Sequence, residues 1–95
     1  MNEDLKNFIE IYLNHENAYS DSVNLRDTLH AFNSETVENV RSGIAQILRD
    51  HSLPAAQFGR LTAVEFDDDE SLERYLKEMY RYLFEDREER PFPPE

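Results

Sequence analysis

Residues 35–50 read ETVENVRSGIAQILRD. Val37, Val40, Ile44, Ile47 and Leu48 recur there at spacings of three and four, the single apolar stripe of an amphipathic helix. Ser34 precedes the stretch as an N-cap, and Glu35 and Glu38 stand where the helix dipole favours negative charge. A glycine inside a helix costs about 1 kcal/mol relative to alanine, so Gly43 has two readings. Either a close helix crossing compensates for it, or the loss is simply tolerated.

Working toward the C-terminus, Ser52 and Pro54 restart a short helix in which Ala55, Phe58 and Leu61 align, with proline suited to the first turn. Residues 62–66 alternate around Glu65 but are too few to make a sheet, and they read as coil. From about Asp69 to Asp86 the stripe Leu72, Tyr75, Leu76, Met79 and Leu83, widened by Tyr80 and Phe84, predicts a long helix with Asp67 to Glu70 at its start. Tyr82 falls off that stripe and is expected at the surface. Beyond it, three of the last five residues are prolines, which have no amide donor and cannot continue a helix.

Toward the N-terminus, Leu25, Leu29 and Phe32 share one face of a short helix capped by Asp21 or Ser22. Residues 14–20 break the period and are rich in side chains that bond locally to backbone, so they read as a loop anchored by Tyr19. Leu5, Phe8, Ile9, Tyr12 and Leu13 form a first helix from about Glu3 to Leu13, capped by Asn2. Three long and two short helices joined by short loops predict an all-α fold, a small single-domain antiparallel helical bundle of about five helices. The domain spans residues 1–86, and 87–95 form a frayed, charged and proline-rich tail.

Composition narrows the function. The 95 residues hold 21 Asp and Glu against 10 Lys and Arg, a formal charge of −11, and residues 1–32, 33–63 and 64–95 carry −4, 0 and −7. A surface of that sign repels phosphate backbones and anionic lipid, so direct nucleic-acid or membrane binding is not expected. With no cysteine there is neither a disulfide framework nor a thiolate metal site, and a reducing compartment is favoured. The first thirteen residues mix charge with apolar side chains, unlike a signal peptide, and no run approaches the roughly 20 apolar residues of a membrane span. The expected location is cytoplasmic.

No catalytic pattern emerges, and the chain is read as a non-enzyme without cofactor or metal. His15, His30 and His51 share no i, i+3 or i+4 spacing that would aim two of them at one ion. Asp67, Asp68, Asp69 and Glu70 lack the alternating ligands and central glycine of an EF-hand loop. The serines at helix starts are explained by capping, and two glycines cannot build a phosphate cradle. What remains is a single-sign field, which steers a cationic partner. Asp67, Asp68, Asp69 and Glu70 form one candidate contact surface. Glu16 and Asp21 around Tyr19, an aromatic among acids, form another.

The order Leu5-x-x-Phe8-Ile9-x-x-Tyr12-Leu13-x-His15-Glu16-x-x-Tyr19 continues through Leu29-His30-Ala31-Phe32, a helix from Val37 to Leu48 and the pair Tyr75-Leu76. Over residues 5–84 it resembles the immunity proteins of bacterial contact-dependent growth inhibition systems. Where that pattern has Trp-Leu in the last helix, this chain has Tyr75-Leu76. The resemblance implies a cytoplasmic inhibitor that binds the C-terminal domain of a toxin delivered by a neighbouring cell, commonly a nuclease, and it brings no catalytic motif. A nuclease presents a basic groove to phosphates, so carboxylates can stand in for them. The alternative is a small acidic regulatory adaptor or nucleic-acid mimic that binds another protein.

Overall fold

The computed structural model describes residues 1–20 and 24–94. Among the described residues six helices follow one another: α1 (Glu3–Tyr12), α2 (His15–Ala18), α3 (Leu25–His30), α4 (Ser34–Asp50), α5 (Ala55–Thr62) and α6 (Asp69–Phe84). The described residues contain no strand, and of the stretch read as coil Thr62 ends α5 while residues 63–66 are coil. The fold is all-α, with one more helix than expected.

Asparagine starts four of the six. Asn2, Asn14, Asn24 and Asn33 each turn a side-chain oxygen onto the backbone N–H three residues on, satisfying a donor that has no partner within the helix. Asn33, not Ser34, therefore caps α4, and Asn24 caps α3. The expected caps Asp21 and Ser22 lie outside the described residues.

Asn14 also explains why α2 does not show in the periodicity. Its Nδ2 donates to the Glu10 carbonyl at 2.9 Å while its oxygen accepts from Asn17 N at 3.0 Å. One side chain thus ends α1 and begins α2, and the four residues between are too few and too polar to carry a stripe.

The apolar stripes meet as their spacing requires. Leu5, Phe8, Ile9 and Leu13 from α1 and its end join Val40, Ile44 and Ile47 of α4, Phe58 of α5, and Leu72, Leu76, Met79 and Leu83 of α6 in one core. α4 lies between two neighbours, packing on both α1 and α6, while α5 packs on α1. A Cβ at Gly43 would stand 2.7 Å from Leu5 Cδ2 and 2.9 Å from Asn2 Nδ2. Of the two readings of Gly43, the close crossing is the one found.

Two side chains depart from expectation. Tyr82 is buried, only 5% exposed, because α3 docks on the end of α6 and covers it. Arg26 of α3 stacks its guanidinium 4.6 Å above the Tyr82 ring and donates Nε to the Tyr82 carbonyl at 2.6 Å. His30 Nε2 lies 2.8 Å from the Leu83 carbonyl, which can only accept, so that nitrogen carries the proton. Two side chains of α3 thus satisfy terminal carbonyls of α6. Phe32, expected on the core face, lies beyond the end of α3 and is 41% exposed.

The expected frayed tail also needs correction. Pro91 and Pro93 are buried, Tyr19 donates its hydroxyl to the Pro94 carbonyl at 2.6 Å, and Arg90 Nη2 donates to the Asn17 carbonyl at 2.7 Å. Arg90 also reaches the Ser20 carbonyl, and Arg26 that of Arg87. Missing amide donors stop the helix, but they leave proline rings able to pack and proline carbonyls able to accept.

Gly43→Ala tests the crossing. Overpacking a closed contact costs about 1–3 kcal/mol, which outweighs the gain of about 1 kcal/mol in helix propensity. The variant is expected to be less stable in urea unfolding. A gain in stability would mean that α1 and α4 are not in close contact there.

Candidate protein-binding surface

The first acidic surface is set by how α5 ends. Ala63 takes a left-handed conformation with φ 61°, turning the chain back at the end of the helix. The Thr62 hydroxyl donates to the Phe58 carbonyl at 2.8 Å and accepts from Val64 N at 3.1 Å. Val64 is then buried, and Phe66 packs edge-on to Phe58 with ring centroids 5.7 Å apart and leans on Tyr75 at 5.3 Å. With Val64 and Phe66 turned inward, Glu65 and Asp67 to Glu70 are left exposed.

Two of these acids are engaged in the fold. Asp68 caps α6, its carboxylate accepting from Ser71 N at 2.7 Å. The hydrogen bonds from Ser71 hold the Asp68 carboxyl below the ordinary aspartate value of 3.8. Asp69, the first residue of α6, accepts from Ala55 N at 2.7 Å and so caps α5 from outside. Neither Ser52 nor any other side chain caps α5 from its own segment, and Pro54 holds the cap position.

Asp67 and Glu70 are the acids of this run with least structural work. Glu70 stands 3.9 Å from Arg74, and among the described residues Asp67 and Glu65 enter no ion pair. Glu65, Asp67, Asp68 and Asp69 line a hollow of about 550 Å³ between α5 and the start of α6, with Arg60 as its one basic lining residue.

The second surface is built differently from the expectation. Glu16 is exposed in the first turn of α2, and Asp21 lies outside the described residues. Tyr19 is half-buried, with the His15 ring 5.5 Å away and its hydroxyl committed to Pro94. It anchors the C-terminal segment. That segment links the two surfaces, since Pro94 and Asp67 line one smaller hollow of about 220 Å³. Beneath it, burial pushes the Tyr75 hydroxyl well above the usual tyrosine range, and that hydroxyl has no hydrogen-bond partner among the described residues.

The histidines are spread among local contacts. His51 is the left-handed C-cap of α4, φ 53°, and its Nδ1 lies 2.9 Å from the Glu73 carboxylate of α6. With His30 on the Leu83 carbonyl and His15 against Tyr19, the described residues bring no three His, Asp or Glu side chains together as metal ligands. No helix among the described residues is long and apolar enough to cross a membrane. Compared with protein-family models, curated proteins and solved structures, the chain matches none of them.

Separating caps from exposed charge gives a direct check. Asp69→Ala is expected to lower stability in urea by about 1 kcal/mol, as losing a helix cap does, while Asp67→Ala stays within about 0.5 kcal/mol. Because the folded Asp68 carboxyl lies below its unfolded value, its contribution is complete above pH 3.8 and fades as pH falls through the lower folded value. Carbon-detected NMR should place the Asp68 midpoint below 3.8. A midpoint at or above that value would contradict the cap.

Proposed function

We propose that this chain is an immunity protein that binds and neutralises, in the cytoplasm, the cognate toxin domain of a contact-dependent growth inhibition system. The resemblance over residues 5–84 supports this reading of its class. The observation that carries the mechanism is the rim of Glu65, Asp67 and Glu70, exposed carboxylates at the α5–α6 corner of a chain of net charge −11. Their fixed backbone, held by the Asp68 and Asp69 caps, presents them without the ordering cost of a mobile loop.

A basic nuclease domain suits such a rim. Its phosphate-binding groove carries unpaired positive charge that the carboxylates neutralise, and the long-range field draws the two together. The protein acts by occupying a surface and transforms nothing. A partner that has lost access to its phosphates is inactive whatever its bond-breaking chemistry.

Co-expression with the polypeptide encoded by the neighbouring reading frame, followed by co-purification at low salt, tests this. A complex is expected, and Asp67→Lys with Glu70→Lys should weaken it at least tenfold while the domain stays folded, its melting temperature lowered only by the lost charge–dipole interaction of Glu70 in the first turn of α6. Failure to form a complex at low salt would overturn the reading, as would a complex indifferent to the double reversal.

A further inference from the structure

One exposed apolar feature lies away from the acidic rim. Between α1 and α4 is a hollow of about 370 Å³ whose walls include Phe8, Ile11, Tyr12, Phe32 and Val40. Ile11 is 54% exposed and Phe32 41%. Tyr12 bridges them to the core, its ring 6.3 Å from Phe32 and 5.3 Å from Phe8. Ile11 belongs to no core stripe, and Phe32 sits past the end of its helix, so the core does not explain either side chain. An aromatic and an aliphatic side chain flanking a pocket with an apolar floor is the composition of an interface centre.

Charge decides what can sit there. Asp4 lines the hollow, its carboxylate fixed by the Asn39 amide at 2.8 Å, and among the described residues no lysine or arginine lines it. The segments forming its lips, residues 3–12 and 33–40, carry five acids and one base, Lys6. A second copy of this chain would bring another −11 to the contact and would be repelled. One face of an amphipathic helix needs only such a groove.

We propose that the α1–α4 hollow docks an amphipathic helix of a cationic protein, with an apolar side chain seated between Ile11 and Phe32 and flanking Lys or Arg side chains facing Asp4. It shares no lining residue with the acidic hollow of α5 and α6 and constitutes a second surface. Occupying both would let one basic partner grip the domain at two places, or two partners hold it at once.

The full chain, isotope-labelled, is titrated with a synthetic amphipathic helix of leucine and lysine, and separately with the same helix carrying glutamate for lysine. The lysine helix should move the amide signals of Asn7, Ile11, Phe32 and Thr36 saturably, and the glutamate helix should not. Ile11→Ser, at a position more than half exposed, should remove the effect without lowering the melting temperature. Asp67→Lys with Glu70→Lys should leave it in place, separating this surface from the acidic rim. The proposal is overturned by shifts confined to residues 65–70, by equal response to both helices, by no response, or by groove signals that move with protein concentration alone.

Discussion

With 2.7 Å between Leu5 Cδ2 and the place where a Cβ of residue 43 would stand, α1 rides directly on the backbone of α4. That contact sets the spacing of everything else. It brings Leu5 and Ile9 to full burial against Val40 and Ile44, and it leaves the far side of α4 to α6. Each fully buried aliphatic side chain contributes about 1.5–3 kcal/mol, and such terms must offset the self-repulsion of a chain at −11. The acids are tolerated because nearly all of them stand on the outside, several at helix starts where the dipole welcomes them.

The carboxylates then divide by role. Asp68 and Asp69 hold the ends of two helices, so their charge is tied to the integrity of the α5–α6 corner. Glu65, Asp67 and Glu70 extend from that corner with no comparable duty. An acidic run that looks uniform in sequence is a scaffold of two residues presenting the others. The C-terminal segment reinforces the arrangement, because Tyr19 and Arg90 fasten it beside Asp67 instead of leaving it to fray.

The long helices were legible because an apolar stripe of period 3.6 survives over ten or more residues, as in α1, α4 and α6. The Asn2 cap was legible from residue type alone. What escaped was tertiary in origin. α2 is four residues held by Asn14 and Asn17 side chains on the end of α1, and no periodicity reports that. Tyr82 is off its own helix's stripe and is buried by a neighbour, while Phe32 is on a stripe its helix does not last long enough to use. Asp69 caps a helix that begins 14 residues before it, a partnership visible only after folding. The candidate surface at Asp67 and Glu70 was marked by charge alone. The hollow at Ile11 had only the faint signal of an isoleucine outside the core pattern.

Recognition by complementary charge, as proposed, has a kinetic signature separate from affinity. Long-range attraction accelerates encounter and is screened by salt, whereas short-range contacts govern escape. The most direct measurement is therefore the association and dissociation rates of the complex with the neighbouring-frame polypeptide across a salt series. The account predicts an association rate that falls steeply as ionic strength rises, with a dissociation rate that changes little. An association rate insensitive to salt would contradict it.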